Sequence, residues 1–134
     1  LKFMKQVYLI IFLSIGMLFT NTPASVAQSK ADDIIGDWLN ADKDRKIQFT
    51  KAGNGTYYAK ISWLKKANDE EYKMDMVVIN GLTFKNGEYR GGQAYSPSNG
   101  GWVKATAKLK DINTLNVTGY KYFLSKTRSY TRAK

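Results

Sequence analysis

The sequence contains no cysteine and no histidine, and these two absences exclude much of the familiar chemistry of proteins. Without cysteine, disulfides cannot stabilise an exported domain, and the lipid anchor of a lipoprotein has no attachment site. Without histidine, Ser-His-Asp and Cys-His nucleophilic sites cannot be built, and the usual zinc and copper ligand sets are missing. We therefore predict no metal site and no cofactor.

Acidic residues are also few, with eleven in 134 residues. Hydrolysis of glycosides by a pair of carboxylates remains formally open to such a chain. Several of the acids, however, lie in segments that we predict to be turns, where aspartate is favoured for backbone reasons. These are Asp42, Asp44, Asp69, Glu70, Glu71 and Asp111. We therefore expect no enzymatic activity and name no catalytic residue.

The first 27 residues have the pattern of a secretory signal peptide. Two lysines precede an apolar stretch at residues 7–19, and a polar region ends in Ser25-Val26-Ala27, whose small residues fit the signal peptidase pocket. A transmembrane anchor is the alternative, but a bilayer crossing needs about 20 apolar residues. We expect residues 1–27 to be cleaved and residues 28–134 to form one domain without a transmembrane segment, in the periplasm or outside the cell.

The remaining residues, 28–134, carry 19 basic and 11 acidic side chains, because the leader contains two lysines and no acid. Their net charge is therefore +8. Such an excess favours anionic partners through long-range attraction, and it also serves plain solubility.

Short segments of alternating apolar and polar residues, separated by turn signals, fill residues 34–132. In the clearest segment, Val103, Ala105, Ala107 and Leu109 alternate with polar residues. About eight such strands at hairpin spacing, with no amphipathic helix of useful length, predict an antiparallel meandering barrel or a sandwich. Small inward residues favour the barrel, because a lumen enclosed by about eight strands needs thin walls. The predicted fold class is all-β.

Two further segments matter for the placement of side chains. In the strand at residues 56–64, the alternation predicts that Tyr57, Ala59, Ile61 and Trp63 share the inward face. The segment at residues 65–75 is rich in charge and lacks a stable period, so we predict a long loop or a distorted helical turn there.

The first predicted strand opens with Gly36-Asp37-Trp38, which resembles the Gly-x-Trp signature of lipocalins and their calycin relatives. In that fold the indole closes one end of the barrel, and an arginine of the last strand lies across it in a cation-π contact. The resemblance implies that Arg132, or failing that Arg128, has this structural role.

A closer resemblance covers almost all of residues 28–134, and it rests on several motifs in a fixed order. The motifs are Ile35-Gly36-Asp37-Trp38-Leu39, Tyr57-Tyr58-Ala59-Lys60-Ile61-Ser62-Trp63-Leu64, Gly81-Leu82, Gly91-Gly92-Gln93-Ala94-Tyr95-Ser96-Pro97, Leu115-Asn116-Val117-Thr118-Gly119-Tyr120 and Thr127-Arg128-Ser129-Tyr130-Thr131-Arg132. Together they resemble the bacterial secreted family known as domain of unknown function 2147. The resemblance implies a lipocalin-like barrel outside the cytoplasm and brings no established activity. The chain departs from the family pattern at residues 70–76 and at Ser96, where the family has an acid.

The last predicted strand contains a pair of residues that could bind an anionic ligand. Arg128-Ser129-Tyr130 resembles the Arg-x-Tyr pair with which intracellular fatty-acid-binding barrels hold a carboxylate, and a period of two puts Lys126 and Arg132 on the same face. If that face lines the lumen, a guanidinium and a phenol would suit an anionic amphiphile. Because burying several unpaired cations is costly, the alternative is that only Tyr130 and one arginine point inward.

We therefore predict a monomeric or weakly associated barrel that binds a small apolar or amphiphilic molecule, anionic or neutral, in its lumen. The candidate lumen residues are Tyr57, Ile61, Trp63, Val103, Ala105, Val117 and Tyr130, with Arg128 as the polar anchor. The alternative is a module that binds an anionic envelope component or a polysaccharide through its cationic outer face and the Tyr95–Trp102 loop. Nucleic acid is not an expected partner, since most of the aromatic residues fall on inward positions.

Overall fold

Eight antiparallel strands, paired in the order of the chain, form a closed barrel in the computed structural model, which describes residues 30–134. The strands are β1 (Gly36–Asn40), β2 (Arg45–Lys51), β3 (Tyr57–Leu64), β4 (Val77–Lys85), β5 (Glu88–Ser96), β6 (Gly101–Asp111), β7 (Thr114–Lys121) and β8 (Leu124–Arg132), with short 3-10 helices at Asp32–Ile34 and Pro97–Asn99. Pairing of β1 with β8 closes the ladder. The predicted all-β meandering barrel of about eight strands is confirmed.

The chain divides into residues 1–32, of which only the last three are described, and a compact unit, Asp33–Lys134. The signal peptide predicted at residues 1–27 lies outside the described residues. Across residues 30–134, no helix is both long enough and apolar enough to span a membrane.

The core is formed by every second residue along the strands. Ile47 and Phe49 in β2 and Ala105 and Ala107 in β6 are buried, while the residues between them are more exposed. Each buried side chain removes apolar surface from water, so the strands pack around a common interior. The largest fully buried side chains are Trp38, Tyr57, Tyr89 and Phe49.

A β-bulge in β3 corrects one prediction. Ile61 pairs with Ile47, but the register then shifts, and Trp63 pairs with Lys46. Because an extra residue in one strand reverses the direction of the side chains that follow it, Trp63 lies on the outer face with 38% of its surface exposed. The Lys46 ammonium lies 5.5 Å from the centroid of its ring. The predicted inward orientation of Trp63 is therefore wrong.

The two ends of the barrel differ. At one end, Trp38 is fully buried and its indole donates a 2.9 Å hydrogen bond to the Ile34 carbonyl. The guanidinium of Arg132 lies 4.2 Å from the centroid of the Trp38 ring and donates to the carbonyls of Ile112, Ile35 and Asp33. We call this the closed end. Arg132, and not Arg128, has the position across the indole.

Gly36 belongs to this closure. Its φ is +129°, and a β-carbon at this position would lie 3.3 Å from Nη1 of Arg132. Both the backbone conformation and the close approach of the guanidinium therefore favour glycine at the first position of the Gly-x-Trp motif.

Gly92→Ala is expected to destabilise the barrel by about 1–3 kcal/mol, because overpacking forces side chains and backbone to shift. A β-carbon on Gly92 would lie 2.6 Å from the Asn80 carbonyl oxygen and 2.7 Å from Leu82 Cδ2. Urea unfolding monitored by circular dichroism measures the change. Gly53→Ala is the control, since nothing lies within 4 Å of its added carbon. Equal stability of the two variants would contradict the packing at Gly92.

Candidate functional site

A cavity of about 890 Å³ occupies the end of the barrel opposite to Trp38. The connections β1–β2, β3–β4, β5–β6 and β7–β8 surround its mouth, and we call this the open end. The lining is Asp42, Arg45, Ile47, Glu71, Tyr72, Val78, Ile79, Ala94–Asn99, Val103, Val117, Gly119–Tyr122, Leu124–Lys126, Arg128 and Tyr130. The size lies within the range of about 300–1,000 Å³ that is usual for small-molecule sites.

Apolar side chains form the inner wall of this cavity. Ile47, Val78, Ile79 and Val117 are all buried and all line it. Val103 and Gly119 also line it, and a β-carbon on Gly119 would lie 3.2 Å from Cγ2 of Val103. Such a wall suits a hydrocarbon chain, since transfer of apolar surface out of water is favourable.

Arg45 is a basic side chain of the cavity lining, with 16% of its side chain exposed. The turn before β2 positions it. The buried amide oxygen of Asn40 accepts hydrogen bonds from the backbone N–H groups of Asp44 and Arg45, at 3.0 and 3.1 Å. The Asn40 amide donates in turn to the Asp44 carboxylate at 2.6 Å. This network fixes the backbone from which the Arg45 guanidinium projects.

Two tyrosines interact with the Arg45 guanidinium. It lies 4.2 Å from the centroid of the Tyr72 ring, a cation-π contact, and its charge acts on the Tyr130 hydroxyl, whose pKa it lowers against the larger effect of burial. Its nearest carboxylate, on the half-exposed Asp44, is 3.8 Å away, and such an exposed pair contributes little. The positive charge of Arg45 is thus mostly buried, and its ion-pair partner is the half-exposed Asp44.

A local turn places Tyr72. The Asp69 carboxylate accepts hydrogen bonds from the backbone N–H groups of Glu71 and Tyr72 at 2.8 and 2.9 Å, and these bonds lower the pKa of Asp69. The Tyr72 ring then packs edge-on against Tyr95, with centroids 5.9 Å apart. The irregular β3–β4 connection therefore delivers an aromatic side chain into the barrel.

Burial raises the pKa of the Tyr130 hydroxyl above its ordinary value, against the opposing influence of Arg45 and Arg128. The pKa of Tyr72 is raised for the same reason, again against the same two arginines. Both phenols therefore remain protonated at neutral pH and can donate a hydrogen bond. Both also lie within electrostatic reach of Arg45 and Arg128, so the four side chains form one polar cluster.

The cavity lining carries four basic and two acidic side chains. The basic residues are Arg45, Lys121, Lys126 and Arg128, and the acidic residues, Asp42 and Glu71, are exposed at the mouth. Arg128 lines the cavity but is itself exposed, because the lumen is open beside it. The site thus offers an excess of positive charge above an apolar wall.

The sequence-predicted residues divide into three groups. Val103, Val117, Arg128 and Tyr130 line the cavity together. Tyr57, Ile61 and Ala105 are buried in the packed part of the barrel and are not among the residues that line it, so they are replaced as candidates. Trp63 lies outside, for the reason given above.

Sequence reasoning missed Arg45 and Tyr72. The signal for Arg45 is its separation by two residues from the inward Ile47, which places both on the same face of β2. Tyr72 lies in the loop at residues 65–75, where no periodicity could have indicated its direction.

The Tyr95–Trp102 loop, predicted as an envelope-binding surface, belongs to the mouth of the cavity. Tyr95 lines the cavity, and its ring lies 6.0 Å from that of the exposed Trp102. The carbonyl of Asn99 accepts a 2.7 Å hydrogen bond from the Lys121 ammonium, which connects this loop to the β7–β8 hairpin.

Residues 30–134 contain no group of three acidic side chains arranged to hold a metal ion. The arrangement that they do contain can bind an anionic group. Two guanidiniums and two protonated phenols supply charge-assisted hydrogen bonds, and the apolar wall can accept the remainder of an amphiphile.

Comparison with known proteins identifies relatives of this barrel. Residues 36–132 match the family described as "Uncharacterized protein conserved in bacteria (DUF2147)". Among solved structures, protein HP1028 from the human pathogen Helicobacter pylori, described as belonging to the lipocalin family, is similar with a TM-score of 0.55 at 19% identity, over 75% of this chain and 83% of that one. A search of curated proteins found no match.

Proposed function

Since the chain belongs to the DUF2147 family of bacteria and has a lipocalin-like barrel, we propose that it binds a small anionic amphiphile in its lumen, outside the cytoplasm. The observation that carries this proposal is the mostly buried guanidinium of Arg45, which lies over the Tyr72 ring and, with Tyr130, lines a cavity of about 890 Å³. Desolvating a guanidinium is costly, and the half-exposed Asp44 at 3.8 Å offsets little of that cost, so an anionic ligand in the lumen would offset more.

The lining supports one orientation of such a ligand. Ile47, Val78, Ile79 and Val117 offer an apolar surface to the hydrocarbon, while Arg45 and its cluster meet the anionic group. A carboxylate or a phosphate fits the fork of a guanidinium in a bidentate geometry. The chemistry of the head group is therefore the property that we expect to decide affinity.

Displacement of the fluorescent probe 1-anilinonaphthalene-8-sulfonate tests the proposal. Hexadecanoate is expected to displace the probe at a concentration on the order of tenfold lower than hexadecanol does, because only the acid carries the charge that Arg45 meets. Native mass spectrometry of the exported protein, purified from the periplasm of its own bacterium, should in addition show a co-purifying mass of lipid size.

Variants that fill the lumen provide the control. Ala94 lines the cavity and its neighbour Gln93 is exposed, so Ala94→Trp should abolish displaceable probe binding while Gln93→Trp leaves it intact. If Ala94→Trp does not fold, Val103→Phe is the alternative, because Val103 pairs with Ala94, also lines the cavity and takes a smaller increase in volume. Probe binding that survives both lumen variants, or equal displacement by acid and alcohol, would contradict the proposal.

A further inference from the structure

The β7–β8 hairpin ends in three exposed apolar residues at the mouth of the cavity. Tyr122 is 91% exposed, Phe123 is fully exposed at 103%, and Leu124 is 77% exposed. We call these three residues the hairpin tip. They lie outside the core, so they contribute little apolar burial to the fold, and water meets almost their entire surface.

The composition of this turn is unfavourable for a hairpin. Tyr122 has a φ of +56°, in the left-handed region that asparagine and glycine occupy at least cost. The β4–β5 hairpin has a turn of the same length, and there Asn86 takes the corresponding conformation, with a φ of +53°. The β4–β5 turn at the closed end thus has the usual turn residues, whereas the β7–β8 turn at the open end has bulky apolar ones.

The basic residues nearest to the hairpin tip along the chain are Lys121, Lys126 and Arg128, and residues 112–134 contain no acid. The exposed acids of the cavity mouth, Asp42 and Glu71, belong to the β1–β2 and β3–β4 connections. The Lys121 ammonium lies 5.8 Å from the centroid of the Tyr122 ring, and Lys126 and Arg128 follow along β8 at the cavity mouth. Exposed aromatic and aliphatic side chains flanked by lysine and arginine have the chemistry that matches a bilayer surface with anionic headgroups.

We propose that the hairpin tip inserts into the interface of an anionic lipid bilayer and docks the open end of the barrel on it. Phe123 and Leu124 would enter the region between headgroups and acyl chains, while Lys121 and Lys126 would meet the phosphates. A second copy of the chain fits this surface less well, because its charge of the same sign would repel the first.

The docked orientation follows from the attachment of the hairpin. The hydrogen bond from Lys121 to the Asn99 carbonyl joins the hairpin to the loop that carries Trp102, which is also exposed. Tryptophan is enriched at membrane interfaces. The cavity mouth would then face the lipid, an arrangement that holds whether or not the lumen binds an amphiphile.

Sedimentation with lipid vesicles tests this proposal. The protein is expected to bind vesicles of phosphatidylglycerol mixed with phosphatidylcholine, and to bind pure phosphatidylcholine vesicles on the order of tenfold more weakly. The double variant F123S/L124S should lose on the order of tenfold in binding to the mixed vesicles. Ile112→Ser is the matched control, since Ile112 is 53% exposed in the turn at the opposite end of the barrel.

Insertion has its own spectroscopic readout. Phe123→Trp should show a blue-shifted emission on vesicle binding and quenching by brominated lipid, whereas Ile112→Trp should show neither. Equal binding of F123S/L124S and the unchanged protein would overturn the proposal. So would a concentration-dependent dimer that the same double substitution abolishes, because the tip would then serve a second copy of the chain. Probe displacement and vesicle binding measured on Phe123→Ser, whose side chain does not line the cavity, separate this result from the fate of the proposed lumen function.

Discussion

Replacement of Arg45 by methionine is expected to weaken the binding of hexadecanoate by on the order of 10- to 100-fold, since hydrogen bonds to charged groups contribute about 1.5–3 kcal/mol. Methionine keeps much of the length and apolar contact of the arginine stem, so the change removes mainly the charge and the donors. Binding of hexadecanol should change little, because its hydroxyl does not require the guanidinium. Isothermal titration calorimetry with both ligands measures the difference.

Two further arginine variants test whether the loss of hexadecanoate binding is specific to the Arg45 guanidinium. Arg90 is exposed on the outer face, where its guanidinium donates to the Glu88 carboxylate at 2.6 Å, so Arg90→Met should leave the affinity unchanged. Arg45→Lys keeps a charge but loses the planar fork that stacks on Tyr72, so we expect a partial loss. If Arg45→Met and Arg90→Met bound hexadecanoate equally well, Arg45 would have no role in recognition.

Trp38→Ala is expected to lower the free energy of unfolding by about 3–5 kcal/mol, the usual cost of removing a buried aromatic side chain. The indole is fully buried at the closed end. Its loss also removes the surface on which Arg132 lies and the hydrogen bond to the Ile34 carbonyl. For a domain of this size such a loss is a large fraction of the total stability. Guanidinium unfolding followed by circular dichroism gives the value.

The chain contains a matched control for this experiment. Trp63 is the same residue type, but it lies on the outer face beside Lys46. Trp63→Ala should therefore cost about 1 kcal/mol or less, as surface substitutions usually do. A cost for Trp63→Ala as large as that for Trp38→Ala would contradict the bulge in β3 and restore the inward orientation that alternation alone predicts.

The fold was accessible from the sequence because its determinants are local. Eight short alternating segments separated by turn residues specify hairpins between neighbours, and consecutive hairpins leave only the pairing of the first strand with the last to be found. The Gly36-Asp37-Trp38 motif and Arg132 indicated that closure. Burial of Ile47 and Phe49 followed from the same period of two.

The sequence predicts the candidate site only in part, because the positions of two side chains do not follow from strand periodicity. Val103, Val117 and Tyr130 line the cavity on regular strands, as alternation predicts. The position of Tyr72, however, depends on a turn around the Asp69 carboxylate within an irregular connection. The direction of Trp63 depends on one bulge residue, which no pattern in the sequence marks.

The contact between Arg132 and the start of the barrel has a consequence for the order of events during folding. The guanidinium of Arg132 bonds to the carbonyls of Ile35 and Asp33, which lie 97 and 99 positions earlier in the chain. Bringing such distant segments together lowers the entropy of the chain before any stabilising contact forms. The pairing of β1 with β8 is therefore slow compared with hairpin formation. The barrel cannot complete its ladder until β8 is available, and a chain that lacks β8 would remain an open series of hairpins.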